Sequence, residues 1–326
     1  MLRIFCSQPT ITSLEPSCPT PEGNLSKSLS ELIQRGRCAG IEFSLQTELH
    51  SSDEGSYSRK YKRGTWAADI GTDALGGAAF TDEDWLTWGA SWRAQVMPWA
   101  AWAAEHRVSI LSPGAELTEP QRHASYWSTL ADETREEVRK HGDAGLRLSY
   151  GADKGSVPEV TWLDKLDFVG TDPYYALAEY TDEPTTEELQ HSWAEKTESL
   201  WQTAKKAGRP VLIHEIGWRA LKGTNKAPGD WQPTGEQDDG LQDRLYQTMF
   251  TEFCVRDESE FGGLFIQGFE NQKYSKTGYE LQDKPALETI AKAWGGSTTW
   301  DECKPEIKRR FADCAAAPAP DSPVQS

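Results

Sequence analysis

Short apolar runs, each closed by turn residues and followed by a helical stretch, recur along this chain, and that alternation constrains its fold more than any other feature. Strands are read at 2–6, 39–46, 107–112, 145–150, within 164–175, at 210–215 and at 263–270. Helices are read between them at 26–35, from Thr81 to about His106, at about 119–140, at 184–207, at about 237–256, and from Lys284 onward. Strict alternation without a composition break predicts one parallel α/β domain. Polar and aromatic residues cluster after the strand ends, which is where a (β/α)8 barrel keeps its site. The other candidate, an open doubly wound sheet, usually carries a Gly-rich phosphate loop after an early strand, and neither GxGxxG nor GxxxxGK[ST] occurs here. The expected fold class is therefore α/β, a (β/α)8 TIM barrel. Only seven strands are counted, so the first βα unit is expected to be missing from the N-terminal side. The barrel is expected over 1–296, an extension over 297–314, and a disordered Ala/Pro/Ser-rich tail over 315–326.

Two of these strands end in a carboxylate. Pro210-Val-Leu-Ile-His-Glu-Ile-Gly-Trp-Arg219 is a buried-strand pattern that delivers Glu215 to the point where the strand stops. Val108-Ser-Ile-Leu-Ser-Pro-Gly-Ala-Glu-Leu117 repeats the design and delivers Glu116. Acids are almost never fully buried unless paired. For one acid alone, an ion pair with a nearby Arg or Lys explains it equally well; two at two strand ends point to a catalytic pair. No Gly-x-Ser-x-Gly occurs and the His residues do not follow strands as a Ser/His/Asp triad needs.

Composition narrows the substrate. Acidic residues outnumber basic ones 51 to 34, a formal net charge of −17, which repels nucleic acid and anionic lipid. No apolar run approaches 18 residues, so no membrane span is expected. A neutral substrate fits this balance, and 14 Trp with 10 Tyr supply flat faces of the kind that stack on sugar rings, although most of the Trp are expected to be core. The six cysteines, at 6, 18, 38, 254, 303 and 314, have no zinc-ligand spacing. They permit three disulfides, with Cys303 and Cys314 placed to staple the C-terminal extension, and that usage suits an extracellular setting. Met1–Cys6 has none of the marks of a signal peptide.

Four pieces resemble glycoside hydrolase family 113, the β-mannanases of a large clan of retaining (β/α)8-barrel glycosidases. They are Ser-Pro-Gly-Ala-Glu-Leu (112–117), Leu-Asp-Phe-Val-Gly-Thr-Asp-Pro-Tyr-Tyr-Ala-Leu (166–177), Pro-Val-Leu-Ile-His-Glu-Ile-Gly-Trp-Arg (210–219) and Lys-Pro-Ala (284–286). The resemblance extends from about Thr20 to Leu287. It implies Glu116 as acid/base after the fourth barrel strand, Glu215 as nucleophile ending the seventh, and the block at Leu2 as the family's second strand. Two departures bear on the sugar. Ala115 stands where the clan often has a polar residue, and Phe269 where it usually has a Trp platform.

The expected activity is endo-acting, retaining hydrolysis of a neutral β-linked polysaccharide, β-1,4-mannan first; the competing class is a non-catalytic carbohydrate-binding protein on a truncated barrel. A retaining pair should face each other at about 5–5.5 Å, with Glu116 kept protonated by burial and by the second acid. Tyr174 or Tyr175 is expected to donate to Glu215, and Asp172 to hold a sugar hydroxyl. Trp66, Trp218 and Phe269 are expected to line the cleft, with Glu270 in reserve. His214 should, by strand alternation, point away from Glu215 and be structural. Two carboxylates need no cofactor and no metal, and a monomer is expected.

Overall fold

The computed structural model describes residues 1–38, 40–51, 68–74, 78–143, 145–230, 234–267 and 277–294. Trp66, Phe269, Glu270, the Cys303–Cys314 staple and the C-terminal tail lie outside these residues.

All eight strand pieces run parallel. One ladder is β1 (Leu2–Gln8), β2 (Ser44–Ser51), β3 (Ile110–Ser112) and β4 (Arg147–Leu148), in that order; the other is β5 (Ala152–Asp153), β6 (Val169–Asp172), β7 (Val211–Ile216) and β8 (Phe261–Ile266). β4 and β5 are halves of one stretch, and an isolated parallel bridge between Ala115 and Gly151 carries β3 onto it. Among the described residues seven strands in sequential order result, the number read from the sequence. Among the described residues no ladder joins β1 to β8.

Helices form the crossovers except the one from β5 to β6, which is two 3-10 turns, Val157–Glu159 and Leu163–Lys165. The helices α1 (Gly23–Cys38), α2 (Asp82–Glu105), α3 (Ala124–Lys140), α4 (Thr186–Ala207), α5 (Asp239–Phe253) and α6 (Pro285–Ala293) alternate with the strands. Thr81 and Asp84 form a capping box at α2, as Thr185 and Glu188 do at α4. α4 ends at Gly208 in the left-handed conformation (φ 63°), and Pro210 follows to prevent continuation, so the chain turns at once into β7. The helix read at about 119–140 is divided: a 3-10 turn at Pro120–Arg122 precedes α3, with His123 between them. No described helix is long and apolar enough to cross a membrane.

β2 differs most from its reading. The ladder with β1 runs from Leu2↔Leu45 to Gln8↔Ser51, so the strand lies at 44–51 rather than 39–46. Leu45 and Leu49 are buried in the main core, while Ile41 is exposed. The shift turns Glu48 from a loop residue into a strand residue on the same face as Gln46.

The tryptophans are mainly structural. Trp88, Trp92, Trp99, Trp127, Trp162, Trp193 and Trp218 are among the largest fully buried side chains, and several use the indole N–H to fix a loop. Trp92 donates to the Pro113 carbonyl at 3.0 Å, Trp127 to Pro120 at 2.8 Å and Trp162 to Gln121 at 3.0 Å. Inside the barrel, Ile110, Phe168, Leu212 and Phe265 form an apolar floor. A polar layer lies above it, where His214 is gripped by Gln46 on one ring nitrogen and Ser149 on the other, both at 2.6 Å. Glycine is required in this layer: a Cβ on Gly170 would lie 2.3 Å from the Tyr150 carbonyl oxygen. Among the described residues a disulfide joins Cys6 to Cys18, and Cys254 is a free, exposed cysteine.

Candidate active site

Above the polar layer, five acids gather near the strand ends, and four of them, Glu48, Glu116, Asp172 and Glu215, act on one guanidinium. Glu48 comes from β2, Glu116 from the turn after β3, Asp153 from β5, Asp172 from β6 and Glu215 from β7; Arg3 comes from β1.

Glu116 sits where the backbone has left the strand. Its φ of 53° is left-handed, an uncommon state for a residue with a side chain and one that costs about 1–3 kcal/mol. The surroundings hold it there. Its N–H donates to the Gly151 carbonyl at 2.7 Å, and the next residue, Leu117, is clamped through both N–H and C=O by the Tyr150 hydroxyl at 3.0 and 3.2 Å. Burial first, then the charges of Asp153, Glu215 and Glu48, push the Glu116 carboxyl up to about 8 against the opposing pull of Arg3.

Glu215 accepts hydrogen bonds at both oxygens. Tyr174 donates its hydroxyl to Oε1 at 2.6 Å, and Arg3 Nη2 donates to Oε2. Arg3 also pairs through Nε with Glu48 at 3.1 Å. Burial opposes the Arg3 charge, but Glu215, Glu48 and Asp172 together outweigh it and raise its pKa. Glu48 is itself held by the Gln46 amide at 2.7 Å, and Gln46 by His214. Because Gln46 presents its oxygen to His214 Nδ1, that nitrogen donates, and Nε2 accepts from the Ser149 hydroxyl. The ring is neutral: burial, then Arg3, pushes it down to about 3.

This chain of contacts corrects one expectation. Strict alternation puts His214 and Glu215 on opposite faces, yet both join the same internal network. The β7–β8 ladder slips between Ile213 and Ile216, and such an irregularity re-aims a side chain at the strand end. His214 is structural as read, but it supports Glu215 through Gln46, Glu48 and Arg3.

Of the aromatic candidates, Tyr174 reaches Glu215 and Tyr175 does not. The Tyr175 hydroxyl donates to the Lys154 carbonyl at 3.0 Å and its ring packs edge-on against Trp193. Trp218 is a second correction: it is 0% exposed, wedged between Trp193 and Tyr246 at right angles to both, and offers no face to a sugar. Its place in the run after β7 suggested a loop, whereas α4 and α5 close over it. Asp172 is almost fully buried with Oδ1 unpartnered, and burial, then Glu116 and Glu215, raise it well above the carboxylate range.

Arg3, Glu48 and Asp153 were missed. Arg3 is the register partner of Gln46, so it shares the inward face; a lone cation in the first strand was the available signal. Phe5, two residues on, is opposite Glu48 and 56% exposed. Asp153 ends a stretch read only as far as Tyr150.

This ring of acids around an arginine, at the C-terminal ends of parallel strands, is where a barrel enzyme works. The family model of Glycoside Hydrolase Family 113 matches residues 59–286. The chain belongs to glycoside hydrolase family 113. It is a glycoside hydrolase, and its fold is shared with solved family 113 enzymes. A GH113 β-1,4-mannanase superposes with a TM-score of 0.71 at 20% identity, covering 90% of this chain and 87% of that one. The GH113 β-mannanase of Alicyclobacillus acidocaldarius, in complex with ManMIm, gives 0.67 at 18% identity, covering 95% of this chain and 85% of that one. No curated protein matches the chain.

Proposed function

We propose that this family 113 protein is an endo-acting, retaining β-mannanase whose acid/base is Glu116 and whose nucleophile is Glu215. The observation that carries the reading is the contrast between the two acids. Glu116 is held in its protonated form at neutral pH, while Glu215 is aimed from both oxygens by Tyr174 and Arg3. A buried acid that keeps its proton, set beside a carboxylate held by donors at both oxygens, fits the roles of acid and nucleophile. The solved mannanases of the family support the sugar.

In the first half-reaction Glu215 attacks the anomeric carbon as the bond to the leaving oxygen breaks, and the Glu116 proton passes to that oxygen. In the second, water attacks the same carbon, its proton goes to Glu116, and the ester bond breaks to return the electron pair to Glu215. Asp172, whose carboxyl is raised by burial and then by Glu116 and Glu215, holds its proton more tightly than an ordinary carboxylate and faces the same site as the nucleophile, where it can bond a sugar hydroxyl. Phe5 takes the wall position that Trp218 does not fill.

Screening mannan, glucan and xylan, with sizing of the products, tests substrate and mode together. Internal cleavage of mannan is expected, and release of single sugars from chain ends alone contradicts the endo assignment. Glu215→Gln should lower kcat by about three orders of magnitude or more with KM little changed.

A further inference from the structure

We propose that Asp153, outside the two-glutamate pair, is a positioning residue whose carboxylate supplies a permanent negative charge beside Glu116 throughout the catalytic cycle. The inference rests on the assignment of Glu116 as acid/base. Its geometric basis is the strand register. Gly151 faces the barrel interior: a Cβ there would lie 3.3 Å from Asp172 Oδ2, Gln46 Oε1 and His214 Nδ1. Asp153, two residues further, shares that face, and its register partner is the buried Asp172. The Gly151 carbonyl holds the Glu116 amide at 2.7 Å, so Asp153 rises from the strand position next to the one that anchors Glu116.

The charged and titratable groups around Glu116 are Arg3 from β1, Glu48 from β2, Tyr150 and Asp153 from the β4–β5 stretch, Asp172 from β6 and Glu215 from β7. Among these charges Asp153 acts on Glu116 more strongly than Glu215 does. Glu48 and Glu215 are both bound to Arg3, which takes up their charge. Asp153 has Lys154 beside it, and that amine is itself turned to the Tyr174 carbonyl at 2.9 Å. Burial raises the Asp153 carboxyl and Lys154 moderates the rise.

The consequence appears after the first half-reaction. Once Glu215 is esterified to the sugar its charge is gone, and the acid/base loses one of the charges that, with burial, kept its pKa high. Asp153 takes no covalent bond to the sugar in either half-reaction and keeps its charge. Glu116 therefore remains a strong enough base to take the proton from the attacking water, and the alkaline limit of the enzyme is set by Asp153 as much as by Glu215.

The test is Asp153→Asn, which keeps the shape and removes the charge. The fold uses the Asp153 carbonyl, which accepts from Ser156 N–H at 2.8 Å and the Ser156 hydroxyl at 3.0 Å, and both bonds survive the change. Two readouts are taken on the full chain. The first is the titration of the Glu116 side-chain carboxyl by 13C NMR, assigned with Glu116→Gln. The second is the pH dependence of kcat/KM on β-1,4-mannan. In D153N the titration midpoint and the alkaline limb should both move toward acid by about one pH unit, a tenfold change in proton affinity, while the acidic limb stays. If D153N melts early, Asp153→Ser replaces it with the same expectation. A midpoint and alkaline limb that do not move, with only KM raised, make Asp153 a sugar contact and overturn the proposal. A wild-type protein inactive on mannan, glucan and xylan overturns the Glu116 assignment instead, and the carboxyl titration still decides whether Asp153 acts on Glu116.

Discussion

Tyr174 and Glu116 are the two side chains whose replacement separates the parts of this site. The Tyr174 hydroxyl makes a charge-assisted bond to Glu215 at 2.6 Å, a class worth about 1.5–3 kcal/mol. Tyr174→Phe should therefore lower kcat by about one to two orders of magnitude with KM little affected, read by steady-state kinetics. Glu116 carries a cost to the fold. Its pKa rises from 4.5 when unfolded to about 8 when folded, so the folded state binds the proton more tightly than the unfolded chain. That contribution to stability is fully present below about pH 4.5 and is lost as pH rises toward 8. Glu116→Gln, which stays neutral throughout, should thus melt above the wild type at pH 8 by on the order of a few degrees, with the gap closing toward pH 4.5. A melting temperature equal to wild type at both pH values contradicts the burial of this acid. The sequence made Glu116 and Glu215 visible because an acid ending an apolar strand has few bland explanations. Arg3 was hidden because a single cation in a first strand looks like a surface residue until its register partner, Gln46, is known.

At the scale of elements, strand existence was legible and strand phase was not. β7 was readable because Gly208 and Pro210 mark its start and three apolar residues its body. β2 was misplaced because Ala39–Gln46 has as good an alternating pattern as Ser44–Ser51, and only pairing with β1 chooses between them; Glu48 was lost with the phase. The slip in β7 that brings Glu215 inward is a property of the β7–β8 ladder and leaves no mark in the residues of either strand. β1 carries Arg3, and its far end is tied down by the Cys6–Cys18 disulfide and by paired backbone bonds between Ser7 and Ser17 at 2.8 and 2.7 Å. A cross-link closing a loop of this size contributes about 3 kcal/mol. Replacing both cysteines by serine should lower stability in urea by about 2–4 kcal/mol. An unchanged midpoint would show that β1 is held by its ladder alone.

For the whole molecule, the barrel places Glu48, Glu116, Asp172 and Glu215, from four strands or the turns that follow them, around Arg3, an arrangement that no single stretch of sequence contains. The fold class followed from alternation and turn chemistry, and the family from four short motifs, because both are written locally. The aromatic load misled in part: a large Trp count fits sugar platforms and thick helix-to-strand packing alike, and here Trp88, Trp92, Trp127, Trp162, Trp193 and Trp218 serve the packing. The central claim is that the nucleophile among these acids is Glu215. Incubating the full chain with a 2-deoxy-2-fluoro β-mannosyl fluoride, which slows the second half-reaction, and mapping the labelled peptide by mass spectrometry tests it most directly. One fluorosugar is expected on the peptide containing Glu215, and none in Glu215→Gln. A label on Glu116, Glu48, Asp153 or Asp172 in the wild-type protein would contradict it.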